Sequence, residues 1–385
     1  MTQEMTPFIV MEVLERAQAM ERQGISIIHM EVGEPDFDTP WHISRAAVTC
    51  LEDGGTHYTS NLGTPALRQA IARYLERRFA AKFAWEREIL VTVGVSEAID
   101  LAIRAICSPG DEILYHEPCF VSYAPTIRLA HAVPVCVETH VEDEFRLTVA
   151  ALERKVTPRT KAILLNFPCN PTGATLSRDD MLAILRFAEK HDLIVLADEV
   201  YSELNYEDLE TLVSFASFPE YHDRVVLLNG FSKSWAMTGY RLGYACGPVD
   251  IIDAMMKIHQ YGIMSAPTLS QAAGVEAMDH GDKDVARMRR EYRKRRDYLV
   301  PALNDLGLAT VMPKGAFYIF SDIRSTGMDD ETFALKLLKE FGVGCVPGSA
   351  FGACGAGFVR MSYATSMEKI HLAVERIKRL KGEKR

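Results

Sequence analysis

The sequence predicts an α/β protein with a large domain, whose mostly parallel sheet is covered by helices on both faces, and a smaller α+β domain. Two observations carry this. Between about Gly54 and Gly247, short continuous apolar runs alternate with stretches whose apolar residues recur at helical spacing. That is the pattern of parallel strands buried on both sides by crossover helices. After Gly247 a long helical region reaches about Leu306, and a strand, a helix, a strand and a helix follow. The expected boundaries are 1–45 for an N-terminal arm and part of the small domain, 46–275 for the large domain, and 276–385 for a connector helix and the small C-terminal domain. The first forty or so residues are expected to pack against that small domain.

Each element has its own signal. In "THYTSNLGTPALRQAIARYLERRF", Thr64 is placed to cap a helix and Pro65 to occupy its first position, where a missing N–H costs nothing. Leu67, Ala70, Ile71, Tyr74 and Leu75 then share one face. "EILVTVG" reads as strand, "SEAIDLAIRAIC" as helix and "EILYHEP" as strand. Next come the strand "KAILLNFP", the helix "RDDMLAILRFAEKH", and the strands "LIVLADEVY" and "RVVLLNGFSK". In the tail, "GAFYIFSDI" and "GFVRMSYA" read as strands, "ETFALKLLKEF" and "MEKIHLAVERIKRL" as helices. The segment "RMRREYRKRR", Arg287 to Arg296, has seven basic residues in ten, with Met288, Tyr292 and Leu299 as a thin apolar stripe. A solvated connector helix is expected there.

Composition narrows the function. The 385 residues are 48% apolar and 25% charged, an ordinary globular balance. A net charge of -9 argues against general nucleic-acid binding, which needs basic surface to displace counter-ions. The eight cysteines form no CxxC pair and no histidine stands at metal-ligand spacing, which argues against zinc. They read as buried small apolar residues in a reducing compartment. No apolar run approaches the roughly 18 residues of a membrane span. The start "MTQEMTPFIVMEVLERAQ" lacks the basic, apolar and cleavage segments of a signal peptide, so a cytoplasmic location is expected.

In a parallel α/β sheet, ligands gather beyond the carboxyl ends of the strands. "VTVGVSEA" ends a strand at Gly94 and opens a helix near Ser96, where free amides favour an anion. Asp198 and Tyr201 leave the buried strand of "LIVLADEVY", and a carboxylate there needs a partner. Asn170, before Pro171 and Gly173, sits in a turn that can aim an amide inward or be a plain turn. In "NGFSKSWAMTGYRLGY", Lys233 follows Ser232 and precedes Arg241 by eight residues. A nucleotide P-loop requires GxxxxGK[ST], but Leu227 and Ser232 occupy the glycine positions, so that reading fails. What remains is a lysine among small residues, with an arginine able to grip a phosphate through two parallel hydrogen bonds.

The stretch "GFSKSWAMTGYRLG" resembles the signature of pyridoxal-phosphate-dependent class I aminotransferases of fold type I, aspartate-aminotransferase-like, with Gly230, Ser232, Lys233, Gly239, Arg241 and Gly243 in register. "VGEPDFDTP", "HYTSNLGTPALRQAI", "VTVGVSEA", "EPCFVSY", "NFPCNPTG", "LADEVY" and "FVRMSYA" resemble the same family in the same order, from about Ile27 to the C-terminus. The resemblance implies pyridoxal 5'-phosphate as cofactor, joined to Lys233 as a Schiff base, with Lys233 later moving the substrate proton. Such an amine must be neutral, which burial or neighbouring positive charge promotes. The resemblance also implies that Asp198 pairs with the pyridine nitrogen, that Tyr201 and Asn170 bond the phenolic oxygen, and that Phe120 stacks on the ring. The phosphate falls to the amides of Val95 and Ser96, the Ser232 hydroxyl and Arg241. Many relatives carry a hydroxyl where this chain has Gly230, so one phosphate contact is expected to be missing or replaced by water. Tyr58 resembles a tyrosine that reaches the phosphate from a neighbouring subunit, implying a homodimer with shared sites. Arg360 matches the arginine that clamps the substrate α-carboxylate, and Gly33 a backbone contact beside it. On its own, an arginine in an edge strand would be solvated.

The implied activity is transfer of an amino group from an L-amino acid, aspartate-like or aromatic and neutral, to a 2-oxo acid, with 2-oxoglutarate the expected acceptor. A β-lyase or another Cα-bond-cleaving enzyme of fold type I is the alternative, because Lys233, Asp198 and Arg241 would serve all of them. A DNA-binding regulator built on this fold carries an added N-terminal helix-turn-helix region, but "VGEPDFDTP" begins about thirty residues in. Arg104 is a candidate for a distal carboxylate, although pairing with Asp100 one turn earlier is the stronger expectation. Tyr123 and the loop "YGIMSAPTLS" are further candidates for the pocket wall.

Overall fold

A computed structural model of the chain describes residues 9–207 and 212–382. The first eight residues of the expected N-terminal arm lie outside the described residues. The strands are β1 (Ile28–His29), β2 (Ile89–Thr92), β3 (Glu112–Glu117), β4 (Val133–Glu138), β5 (Thr160–Asn166), β6 (Ile194–Asp198), β7 (Val225–Gly230), β8 (Gly243–Cys246), β9 (Tyr318–Asp322), β10 (Val343–Gly344), β11 (Val346–Pro347) and β12 (Phe358–Ser362). The helices are α1 (Ile9–Glu21), α2 (Trp41–Glu52), α3 (Pro65–Phe79), α4 (Gly94–Ile106), α5 (Tyr123–Leu129), α6 (Val149–Glu153), α7 (Arg178–Lys190), α8 (Val249–Gly262), α9 (Thr268–His280), α10 (Asp282–Asp305), α11 (Asp330–Phe341) and α12 (Met367–Gly382).

Seven strands form one sheet in the order β2-β8-β7-β6-β5-β3-β4. All neighbours run parallel except at β8, which is antiparallel to both β2 and β7. The two strands that sequence patterning passed over have physical reasons to be inconspicuous. Strand β8 is four residues beginning with glycine. Strand β4 is a half-exposed edge bearing Pro134, and edges tolerate proline because they leave N–H groups unpaired. The central strands β5, β6 and β7 are buried almost throughout, each fully buried Val, Leu or Ile contributing roughly 1.5–3 kcal/mol of transfer free energy. Thr64 caps α3 by accepting the Leu67 amide, and Ser177 caps α7 in a capping box with Asp180.

Beyond this sheet, β1 pairs in parallel with β10, tying the early chain to a C-terminal strand, and β11, β12 and β9 make an antiparallel sheet with β12 in the middle. Two readings need correction. The basic stretch of α10 is not solvated on all sides: Arg295 and Arg296 are buried. Arg295 donates to Asp36 at 2.8 Å, and Arg296 donates to the Pro313 carbonyl at 2.9 Å and lies over the Tyr206 ring. Charge counting misses this because guanidinium stems pack as apolar matter while their heads find acceptors. The cysteines are all free, but Cys50, Cys107, Cys136 and Cys354 are only partly buried, so small apolar core filling describes just Cys119, Cys169, Cys246 and Cys345. Among the described residues no helix is long and apolar enough to cross a membrane.

Candidate active site

One cavity of about 480 Å³ opens where β2, β5, β6 and β7 release the chain, as the strand-end argument requires. Lys233 enters it three residues beyond β7, its Nζ donating to the Gly33 carbonyl at 2.6 Å. Burial is the main cause that brings this amine down to about 8; Arg360 and Arg241 push the same way and Glu34 opposes them. Asp198 ends β6 as a fully enclosed carboxylate. Burial raises it to about 6, against the hydrogen bonds from Tyr123 Oη at 2.7 Å and the Val200 amide at 3.2 Å. Tyr123 is therefore the partner that the sequence demanded for Asp198 without naming it. Asn166, the last residue of β5, braces the next turn: its Nδ2 donates to the Asp198 carbonyl and its Oδ1 accepts the Asn170 amide, both at 3.0 Å.

The anion cradle lies at the start of α4. Val95 and Ser96 line the cavity beside Ser232 and Arg241. Gly94 has φ +73°, and a β-carbon there would stand 2.9 Å from Arg241 Nη2, so glycine keeps the space between helix start and guanidinium open. Gly230 has a steric reason as well. A β-carbon there would meet Val95 Cγ2 at 2.8 Å, so the hydroxyl common in relatives has no room.

At the other end, Arg360 is buried on the central strand β12, correcting the edge-strand expectation. Its Nη1 donates to Asn170 Oδ1 at 3.0 Å and its Nη2 to the Glu31 carbonyl, while Nε has no hydrogen-bond partner. The rings of Tyr318 and Phe351 flank the guanidinium at 4.7 and 4.9 Å. Tyr201 turns its hydroxyl to Tyr318 Oη at 2.8 Å, and Phe120 meets Tyr123 edge-on at 5.8 Å. A β-carbon on Gly33 would collide with Tyr318 Oη at 2.4 Å, so that backbone approach requires glycine.

The structure thus brings together Gly33, Val95, Ser96, Phe120, Asn170, Asp198, Tyr201, Ser232, Lys233, Arg241 and Arg360. It leaves Tyr58 outside, 82% exposed. The "YGIMSAPTLS" loop also lies outside, beside Tyr58: Asn61 Nδ2 donates to the Met264 carbonyl at 2.8 Å. Arg104 faces away and pairs with Asp100 at 2.8 Å, the expected helix-face couple. Missed entirely were Tyr318, Glu34 and the α1 residues Val10, Met11 and Leu14, which form part of the wall. Periodicity marked Tyr318 only as a strand residue, and nothing local distinguishes a wall helix from any amphipathic helix.

A buried amine that gives up its proton more readily than an ordinary lysine, an enclosed carboxylate and a helix-start anion cradle around one cavity are the groups of a cofactor-assisted enzyme site on a doubly covered α/β sheet. Known proteins specify it further. The chain belongs to the family Aminotransferase class I and II, whose sequence model matches residues 25–377. It is 46% identical over 377 residues, 98% of this chain and 96% of the relative, to the putative aminotransferase YugH of Bacillus subtilis. To the aspartate aminotransferase of Pyrococcus abyssi it is 44% identical, covering 93% of this chain and 92% of that one. Among solved structures, the aspartate aminotransferase from Thermus thermophilus with maleate superposes with TM-score 0.94 at 39% identity, covering 98% of each chain. The aromatic aminotransferase from Pyrococcus horikoshii gives 0.90 at 44% identity, over 94% of this chain and 98% of the other. The family is pyridoxal-phosphate-dependent, and this chain is a transaminase.

Proposed function

We propose that this cavity binds pyridoxal 5'-phosphate and moves an amino group from an L-amino acid to a 2-oxo acid. The carrying observation is Lys233, a buried amine at about 8 placed between the Asp198 carboxylate and the Arg360 clamp. The residues fit the cofactor: the open space at Gly94 beside Arg241 suits a phosphate, and the unpartnered Arg360 Nε suits a substrate carboxylate. When bound, the cofactor supplies the electron sink that stabilises negative charge at the substrate Cα. The chain does the rest. The Val95 and Ser96 amides, the Ser232 hydroxyl and Arg241 would hold the phosphate, and Asp198, oriented by Tyr123, would hold positive charge on the ring nitrogen. Phe120 would pack against the ring, while Tyr201 and Asn170 would address its phenolic oxygen. Arg360 and the Gly33 backbone fix the substrate carboxylate so that the Cα hydrogen faces Lys233, whose neutral amine takes and returns that proton.

For the donor, the lining favours neutral and aromatic side chains. Among the described residues the cavity's cations are Lys233, Arg241 and Arg360, all already engaged, and the facing wall holds Val10, Met11, Leu14, Val121 and Phe351. We retain 2-oxoglutarate as acceptor; its distal carboxylate then requires a cation contributed by a second copy. A homodimer is supported by an exposed aromatic face around Tyr58 and Tyr261, the latter 90% exposed, which a second copy would cover while delivering Tyr58 to the phosphate. The proposed activity belongs to amino-acid metabolism, and we place the enzyme in the cytoplasm. A panel of amino acids with 2-oxoglutarate and pyruvate, read by keto-acid formation, tests the reading. Pyruvate and ammonia released from a donor without any acceptor would replace transamination by β-elimination.

A further inference from the structure

We infer that Glu31, seated behind Arg360 and shared with His29, is a positioning residue that sets how strongly the clamp attracts a substrate carboxylate, with the charge state of His29 as its control. The inference rests on Arg360 being the carboxylate clamp. Glu31 is fully buried and touches Arg360 through its backbone carbonyl, which accepts from Nη2. Its carboxylate turns the other way: Oε1 lies 2.5 Å from His29 Nδ1, and Oε2 has no hydrogen-bond partner. The carboxylate packs on bare backbone, since a β-carbon on Gly344 would stand 2.1 Å from Oε2. His29 pairs with Gly344 in the β1–β10 ladder and reaches Glu21, the last residue of α1, through Nε2 at 3.1 Å. A chain of charges therefore runs from the end of a cavity-wall helix to the clamp.

A buried carboxylate with one free oxygen is costly unless a cation compensates it. Two cations can do so. Protonated His29 is in direct contact. Arg360 makes no ion pair with any carboxylate among the described residues, yet it lies within the field of Glu31. The groups around the pair are few. Glu21 faces His29 from α1, β10 brings only Val343 and Gly344, Cys345 sits in the fields of both Glu31 and Arg360, and Tyr318, Tyr201 and the Lys233 amine face Arg360, the last common to wild type and both variants. Arg376 of α12 lies at the far end of the β1–β10 pair, on the Ser26 and Gly342 carbonyls. His29 stands above its ordinary 6.5, chiefly through the Glu31 hydrogen bond, with burial opposing. While His29 is protonated, the Glu31 charge is offset and Arg360 presents its full positive potential to the cavity. Once His29 loses its proton, Glu31 opposes an incoming carboxylate.

The test is the Kd of 3-phenylpropionate, a carboxylate without an amine, read by the cofactor absorbance of the holoenzyme from pH 6 to 9. For wild type, affinity is expected to weaken about three- to tenfold relative to Glu31→Gln as His29 titrates, the range one unit charge exerts across a layer of side chains. Glu31→Gln should bind tightly across the range, and His29→Gln weakly across it. A merely structural role would not move the two variants in opposite directions. If both follow the wild-type profile within twofold, the inference is overturned. His29 is partly exposed, so its variant decides the matter even where Glu31→Gln fails to fold. Arg360→Lys is the control: if it leaves Kd unchanged, the clamp reading falls, whereas a weakened Kd with flat Glu31 and His29 profiles removes only the present inference.

Discussion

The two ends of the cavity are built differently. At the proposed cofactor end, Val95, Ser96, Asn170, Asp198, Tyr201 and Lys233 each stand within a few residues of a strand end of one mostly parallel sheet. At the carboxylate end, Glu31 meets Arg360 across 329 positions of sequence, Gly33 meets Lys233 across 200, and Tyr318 and α1 close the wall. The first end is assembled by topology, because strand ends of a parallel sheet must converge. The second exists only after the N-terminal segment has docked on the C-terminal sheet.

Breaking the cofactor end should have the largest effects. Lys233→Ala removes the only amine lining the cavity among the described residues. Turnover is expected to fall by about four orders of magnitude or more, near 5–6 kcal/mol of barrier, with pyridoxal phosphate still bound but no borohydride-reduced adduct on the chain. Turnover near wild type would remove the lysine from the chemistry. Asp198→Asn comes next, with a loss of about a thousandfold, roughly 4 kcal/mol, at little cost to thermal stability. A loss of only a few-fold would mean that the ring nitrogen has another partner.

Tyr123→Phe sharpens the comparison by changing one hydrogen bond at the same end. Asp198 stands at about 6 because burial raises it against the Tyr123 bond. Removing the donor lets the carboxyl rise further, so the ionised form that pairs with a cationic ring is reached at higher pH. The expected result is about tenfold weaker cofactor binding by the apoprotein near pH 6, recovering as pH rises, within the range for a buried hydrogen bond to a charge. An affinity ratio to wild type that stays flat with pH would separate Tyr123 from the carboxylate.

How much was legible follows from the same contrast. Strand-end logic pointed to Asp198, only weakly to the α4 start, and left Asn170 open between an inward amide and a plain turn, while the long signature around Lys233 set the register. The bottom-up reading of Arg360 pointed to solvent, because a strand's place in its sheet is not a local property. Only pairing puts β12 between β11 and β9. Arg295 and Arg296 misled for a related reason: charge density on a helix says nothing about which stems are covered. The sequence offers Tyr123 for the pocket wall, where it lies, but Tyr318 only as a strand residue, and in neither case does it show the hydroxyl partner, Asp198 for Tyr123 and Tyr201 for Tyr318.

Arg104 gives the smallest expected effect and the cleanest check on the carboxylate end. It lies on α4, about two helical turns beyond Ser96 of the anion cradle, and its bond to Asp100 is an i,i+4 pair with both side chains about one-third exposed. Such pairs contribute roughly 0.3–0.5 kcal/mol, so Arg104→Met should barely change stability. Because it does not line the cavity, the ratio of kcat/KM for aspartate to that for phenylalanine should stay within about twofold of wild type. A selective tenfold loss with aspartate would show that Arg104 reads a distal carboxylate across a subunit boundary. The distal-carboxylate cation would then have been visible on the sequence all along, hidden only by a pairing that the second copy must break.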